Sequence, residues 1–433
     1  MIVNRPDRIR ATIQVPSDKS ISHRALIFNA IADGRATIER PLDSEDVRST
    51  ARCLAALGVE IDWPNGPGAI TVTGHGLHAL YESDNVLDCA NSGTTMRLLT
   101  GLLSAHPILS VLTGDEQLRR RPMARIISPL RRMGAHIHGR TGDTLAPLAI
   151  KGGDLVACAH DNSVASAQVK SAILLAGLYA EGTTTVREPF RSRDHTERML
   201  GAMGAPLTEK DGTLAVSPPQ RLKPLSLRVP GDISSAAPWL VLGACHPDAE
   251  ILIQGVNTNP TRTGILDIMR AMGAEIEVLE ERTTGGEPVA DLLVRSSRLH
   301  GTTVSGALVP RAIDELPLVA ILGCFAEGET VVRDAAELVV KESDRVAATV
   351  EALGRVGARI SAHKDGFSLS GPQRGLTGGR IDAGSDHRIG MLGAIAGALA
   401  EGSTRIENDA VGVSYPAFWD DLARASQGAA SRA

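Results

Sequence analysis

The sequence predicts an α/β protein of two domains built from about six repeated α+β units, and three observations lead there. At 433 residues the chain exceeds what one hydrophobic core spans, and two domains of about 200 residues each suit that length. A glycine followed by Ala or Val repeatedly closes an amphipathic helical pattern and opens a short β-like run. A second glycine signature alternates with the first at a period of about 70 residues, far beyond the roughly 20–50 of solenoid repeats.

In chain order, the first signature reads Leu54-Ala-Ala-Leu-Gly-Val-Glu-Ile, Leu130-Arg-Arg-Met-Gly-Ala-His-Ile, Leu200-Gly-Ala-Met-Gly-Ala-Pro-Leu, Ile268-Met-Arg-Ala-Met-Gly-Ala-Glu-Ile and Leu353-Gly-Arg-Val-Gly-Ala-Arg-Ile. Each is a helix stopped by a C-terminal glycine and followed by a strand. The second reads Ala32-Asp-Gly-Arg-Ala-Thr-Ile, Ala180-Glu-Gly-Thr-Thr-Thr-Val, Ala326-Glu-Gly-Glu-Thr-Val-Val and Ala400-Glu-Gly-Ser-Thr-Arg-Ile: a helix end, a turn and another strand. Three units per domain is the natural division. Val229-Pro-Gly-Asp-Ile-Ser-Ser, with Pro and Gly ahead of capping residues, suits a hinge between the third and fourth. The end of the chain from Ala425 lacks large apolar residues and reads as frayed.

Composition narrows the function classes. Hydrophobic residues make up 43% of the chain and charged residues 22%, enough apolar material to fill two cores. Five Phe, three Trp and three Tyr against 44 Gly imply an aliphatic interior and a backbone rich in tight turns. They also leave few stacking surfaces for nucleic acid. A net charge of -5 supplies no field for a polyanion or lipid surface, so an anion must be recognised locally. Cys53, Cys89, Cys158, Cys245 and Cys324 are widely spaced without a C-x-x-C pair, against a disulfide framework or a metal site. No secretory core or membrane-length apolar run is present, so the expectation is a soluble, cytoplasmic protein.

Several predicted helices begin with a Ser- or Gly-bearing turn that carries a cation, which opposes the helix dipole and calls for a compensating anion. Lys19 and Arg24 flank Ser20 in Pro16-Ser-Asp-Lys-Ser-Ile-Ser-His-Arg, and Gly93 and Arg97 sit in Asn91-Ser-Gly-Thr-Thr-Met-Arg. Lys341-Glu-Ser-Asp-Arg345 and Asp386-His-Arg388 repeat the arrangement. Arg119-Arg-Arg121-Pro, Ser166-Ala-Gln168-Val-Lys-Ser and Ser192-Arg-Asp-His-Thr-Glu-Arg are further anion-binding candidates; Arg121 reads equally as a solvated arginine, and Ser166 and Gln168 as an exposed helix start. In Ile313-Asp-Glu-Leu-Pro, Asp314 lies among apolar neighbours where desolvation favours a general base, or it is an N-cap ahead of Leu316-Pro317. Glu342 is a second proton-transfer group or a salt-bridge partner. Cations from loops of both halves converge only if the halves face each other, so the expected site is an interdomain cleft. No phosphate loop, dinucleotide fingerprint or Cys/His cluster accompanies these motifs, so no cofactor and no metal are called for.

At these motifs, from Lys19 to Trp419, the chain resembles the 5-enolpyruvylshikimate-3-phosphate synthase family of enolpyruvyl transferases. The resemblance implies two inside-out α/β barrel-like domains, each of three βαβαββ repeats, joined by a two-crossing hinge: residues 19–228 as the first lobe, residues 1–18 and 229–433 as the second. It implies that Lys19, Ser20, Arg24, Ser166, Gln168, Asp314 and Lys341 hold 3-phosphoshikimate. Lys19, Gly93, Arg121, Gln168, Arg345 and Arg388 would hold phosphoenolpyruvate, with glyphosate as an inhibitor at that place. Asp314, Glu342 and Lys19 would move protons. It further implies a monomer acting in the shikimate pathway, without nucleic acid or membrane as partner. The chain departs from the family pattern at Val413, Val339 and Ala167, where other members carry Lys, Arg and Ser. The enolpyruvyl transferase acting on UDP-N-acetylglucosamine is the alternative, but its reactive-Cys loop has no counterpart near Arg119-Arg-Arg-Pro. A non-catalytic anion-binding module on the same fold is the other.

Overall fold

The computed structural model describes residues 1–64, 68–371 and 375–431. Among them lie six four-stranded sheets sharing one strand order. The first strand pairs parallel with the second, the second antiparallel with the fourth, and the fourth with the third, as in Leu87–Asp88, Leu109–Thr113, His136–Gly139 and Leu145–Lys151. An inner helix joins the first and second strands and an outer helix the second and third. This is the βαβαββ repeat.

The inner helices are Lys19–Ala30, Gly93–Leu103, Ala167–Gly177, Ile233–Cys245, Leu316–Phe325 and His387–Leu399. They are almost wholly buried, as helices enclosed by other elements are, and mostly apolar, although the first buries Ser22, His23, Arg24 and Asn29 as well. The outer helices, such as Ala124–Arg132 and Phe418–Ala425, bury one face. Helices inside and sheets outside invert the usual barrel.

The chain divides into two compact units, residues 17–230 with 283–287, and residues 1–16 with 231–282 and 288–433. Each has its own apolar core, one including Leu26, Leu98, Leu102 and Ile173, the other Trp239, Leu240, Ile321 and Leu392. Three sheets belong to each unit, and chain ends complete some of them. The first repeat takes its first strand from Leu227–Arg228, the fourth from Ile9–Ile13, and the sixth its last strand from Ile2–Val3. The crossings are two versions of one turn: Asp18 N donates to the Pro230 carbonyl at 2.8 Å and Asp232 N to the Pro16 carbonyl at 2.8 Å. The contact boundaries thus fall at 16/17 and 230/231 rather than after 18 and 228. The tip of the hairpin formed by Glu275–Thr284 and Glu287–Arg295 joins the first unit, whereas the sequence reading put it in the second lobe.

Both glycine signatures mark left-handed backbone: Gly58, Gly134, Gly204, Gly273 and Gly357 end helices with φ of 89 to 101°, and Gly34, Gly182, Gly328 and Gly402 follow suit. Tight turns are nevertheless only part of the glycine story. Gly101, Gly177 and Gly243 lie in inner helices where a Cβ would collide with a neighbouring helix or sheet, and at Gly323 and Gly397 it would be tightly crowded. The second signature is absent from the second and fourth repeats because His106-Pro107 and His246-Pro247 make the turn there, each imidazole bonded to backbone carbonyls. The C-terminal end is not frayed through residue 431: Ala430–Ser431 pairs with Ile2–Val3, and Ala430 is buried. Arg432 and Ala433 lie outside the described residues.

All five cysteines are free thiols. Among the described residues no helix is long and apolar enough to cross a membrane.

Candidate active site

In the first unit the cations cluster at the N-termini of the inner helices. Asp18 caps Lys19–Ala30 by accepting from Ile21 N at 2.9 Å, which leaves Lys19 and Ser20 at the mouth of the helix. Lys19 Nζ lies 2.8 Å from Asp46 Oδ2, and both remain partly exposed. Arg24, one turn further in, is buried. Its guanidinium donates to Thr196 Oγ1 at 2.8 Å, Ser171 Oγ at 2.8 Å and the Ser20 carbonyl at 3.1 Å. Burial lowers its pKa from the ordinary guanidinium value to about 10. A buried guanidinium hydrogen-bonded, among the described residues, to hydroxyls and a carbonyl alone is poised for an anionic ligand.

Ser92 caps the next inner helix through Thr95 N at 3.0 Å, so Gly93 starts it. A Cβ on Gly93 would lie 3.1 Å from Arg97 Nη1 and 3.4 Å from Arg121 Nη1, which places both guanidinium groups over this glycine. Arg121 is oriented rather than loosely solvated: Nη2 donates to Asn91 Oδ1 at 2.7 Å, and Asn91 is held by Asp115 and Gln117. Gln168 accepts from Arg97 and donates to Thr94 Oγ1 at 3.0 Å. Thus Gly93, Arg121 and Gln168 meet at one place. Arg97, noticed only as a motif residue, belongs with them; Ser171 and Thr196, which no charge pattern announces, meet Arg24 instead.

The second unit gathers carboxylates around one buried cation. Arg345 opens the helix Arg345–Gly354 and donates to Asp386 Oδ2 at 3.0 Å, Asp314 Oδ1 at 3.2 Å and Glu342 Oε2 at 2.7 Å. Lys341 Nζ reaches Asp314 Oδ1 at 3.3 Å. Although burial opposes its charge, Glu342, Asp314 and Asp386 raise the Arg345 pKa further. Burial would likewise push the Glu342 carboxyl up, but Arg345 and His387 outweigh it and hold it below the ordinary value. His387 is pushed down to about 3, first by burial and then by Arg388 and Arg345. Asp386 caps His387–Leu399 through Arg388 N at 2.9 Å, and Arg388 Nη1 donates to the Ser234 carbonyl at 3.0 Å.

Asp314 is not the N-cap of the following helix. Glu315 occupies that position, without a side-chain bond to the helix, and turns inward to accept from Ser234 Oγ. Nor is Asp314 surrounded by apolar groups alone, since two cations lie against it. The sequence pattern missed this because Lys341 and Arg345 come from a later loop. Asp314, Lys341, Glu342, Arg345 and Arg388 therefore share one region of this unit. Of the departures from the family pattern, Val339 and Val413 lie in short 3-10 turns as exposed apolar side chains, and Ala167 opens its helix.

Comparison with known proteins agrees with this architecture. Residues 3–422 match the family model described as EPSP synthase (3-phosphoshikimate 1-carboxyvinyltransferase). A 3-phosphoshikimate 1-carboxyvinyltransferase from Gloeobacter violaceus is 53% identical over 422 residues, 97% of either chain. One from Roseiflexus castenholzii is 51% identical over 424 residues, covering 97% of this chain and 98% of the other. The solved EPSP synthase of Acinetobacter baumannii is 40% identical and superposes with a TM-score of 0.89 over 98% of both chains. With six βαβαββ repeats, anion-ready helix starts and a carboxylate-ringed arginine in place, the chain belongs to the EPSP synthase family.

Proposed function

We propose that the chain transfers the enolpyruvyl group of phosphoenolpyruvate to the 5-hydroxyl of 3-phosphoshikimate, releasing phosphate, in the shikimate pathway that leads to chorismate and the aromatic amino acids. Asp314 takes the proton of the 5-hydroxyl as its oxygen bonds to C2 of phosphoenolpyruvate, while C3 gains a proton from Glu342 or Lys19. The tetrahedral adduct then loses phosphate and one C3 proton to give the enol ether. The observation that carries this reading is the sharing of Arg345 by Asp314 and Glu342: two candidate proton carriers sit against one guanidinium able to bind an anionic reactant.

Lys19, Ser20, Arg24, Ser166, Gln168, Asp314 and Lys341 bind 3-phosphoshikimate in this reading, which is supported by Arg24 having no carboxylate as hydrogen-bond partner among the described residues. Lys19, Gly93, Arg121, Gln168, Arg345 and Arg388 bind phosphoenolpyruvate. Both reactants are anions, so clamping them among cations offsets their repulsion and supplies much of the rate. In this reading each set draws on both units, Lys19, Ser20, Arg24, Gly93, Arg121, Ser166 and Gln168 coming from one and Asp314, Lys341, Arg345 and Arg388 from the other. Glyphosate binds in place of phosphoenolpyruvate, over Gly93. The enzyme works as a cytoplasmic monomer.

Phosphate release tests the reading. Purified protein with phosphoenolpyruvate releases phosphate when 3-phosphoshikimate is added and none with UDP-N-acetylglucosamine; the reverse preference, or binding without turnover, refutes it.

A further inference from the structure

A fully formed ion cluster lies behind the Ser166 helix start, and the chemistry just described does not use it. Lys170 Nζ lies 3.1 Å from Glu188 Oε2 and 2.8 Å from Glu197 Oε1, with side-chain exposures of 5%, 6% and 16%. It also donates to the Ser192 carbonyl at 3.3 Å. Burial disfavours the charge on Lys170, yet Glu197 and Glu188 raise its pKa above the ordinary value.

Glu188 turns its other oxygen toward the site. Oε1 accepts from Ser166 N at 2.8 Å, while Oε2 accepts from Ser192 Oγ at 2.7 Å. Ser166 is the N-cap of Ala167–Gly177, but its hydroxyl caps no amide of that helix, unlike Asp18, Ser92, Asp232, Asp344 and Asp386 at theirs. Its main chain is fixed from behind, by a buried carboxylate, instead of by its own side chain. The same cluster frames Arg24: Ser171, next to Lys170, and Thr196, next to Glu197, are bonded to each other at 2.7 Å and both accept from Arg24.

We infer that Glu188, held by Lys170 and Ser192, is a positioning residue for 3-phosphoshikimate: it fixes the backbone at Ser166, so that the Ser166 hydroxyl faces the ligand, and it steadies the seat of Arg24. The inference rests on the reading that Ser166 and Arg24 bind that substrate. Without Glu188 this part-buried N–H loses a charge-assisted hydrogen bond that holds the local backbone, and the cost falls on whichever substrate needs that backbone.

The test compares Glu188→Leu with Glu188→Gln in the full-length chain. Lys170 keeps Glu197 in both, while only Gln retains an acceptor for Ser166 N. Glu188→Leu raises KM for 3-phosphoshikimate about tenfold with kcat and KM for phosphoenolpyruvate within about twofold, and Glu188→Gln restores it to within about threefold of the parent. An unchanged KM in Glu188→Leu, an equal effect of Gln and Leu, or parallel changes in all three constants would overturn the proposal. If Glu188→Leu does not fold by circular dichroism, the uncharged pair Lys170→Met/Glu188→Leu is compared with Lys170→Met/Glu188→Gln by the same criteria. Arg24→Gln separates the two levels. Should it leave KM for 3-phosphoshikimate unchanged, the reading of the site fails and the positioning role falls with it.

Discussion

Arg345 engages Asp314, Glu342 and Asp386 at once from a nearly inaccessible position. In the proposed reaction an anionic ligand at this guanidinium competes with Glu342, the most exposed of the three, and its arrival frees that carboxyl to exchange a proton. Asp314 carries the first proton in the proposed reaction, so Asp314→Ala lowers kcat by about 10²–10⁴, while calorimetry still detects 3-phosphoshikimate; near-normal phosphate release would refute its role. His23 is a second residue whose charge state matters. It is wholly buried, with Nδ1 2.7 Å from Thr50 Oγ1, and burial lowers its pKa from 6.5 to about 3. Between those values the unfolded chain holds a proton that the folded chain does not, so stability falls as pH drops through this window. Urea midpoints between pH 7 and pH 4.5 follow this, and His23→Gln flattens the decline by on the order of 1 kcal/mol per pH unit. An identical slope in the variant would show that His23 is not responsible.

The inner helices are limited in their spacing by glycine. A Cβ at Gly101 would lie 2.3 Å from the Ala172 carbonyl oxygen of the neighbouring inner helix, a contact with backbone that no rotamer relieves. Glycine costs an exposed helix roughly 1 kcal/mol relative to alanine, yet here the order reverses. Gly101→Ala destabilises the first unit by about 1–3 kcal/mol through overpacking, measured as a lower urea midpoint with unchanged slope; a neutral or stabilising effect would mean that the two helices can separate. The helix-glycine-strand punctuation was readable because the left-handed C-terminal residue is a local requirement. The His-Pro substitutes and the glycines inside helices were not, since their reason lies in a partner distant in sequence.

Across the whole chain, the proposed ligands of each substrate are divided between two folding units. Lys19, Arg24, Gly93, Arg121 and Gln168 belong to the unit of residues 17–230, and Asp314, Lys341, Glu342, Arg345 and Arg388 to the other. A ligand that needs both sets draws them together. Small-angle scattering is therefore expected to show a smaller radius of gyration with 3-phosphoshikimate plus glyphosate than without ligand. No compaction would count against a site shared by both units.

The sequence alone determined the repeat, the class of fold and the motifs that carry charge, because glycine C-caps, polar helix starts and aliphatic runs each have a short-range physical cause. It also placed Lys19, Gly93 and Arg345 at helix starts and Arg24 one turn into its helix. Tertiary structure decided their company: Asp386 and Asp314 against Arg345, Asp46 against Lys19, Ser171 and Thr196 against Arg24, and Glu188 behind Ser166. Those pairings span tens to more than a hundred residues of chain, and an electrostatic or hydrogen-bonding partner is selected by distance in space, which no local pattern encodes.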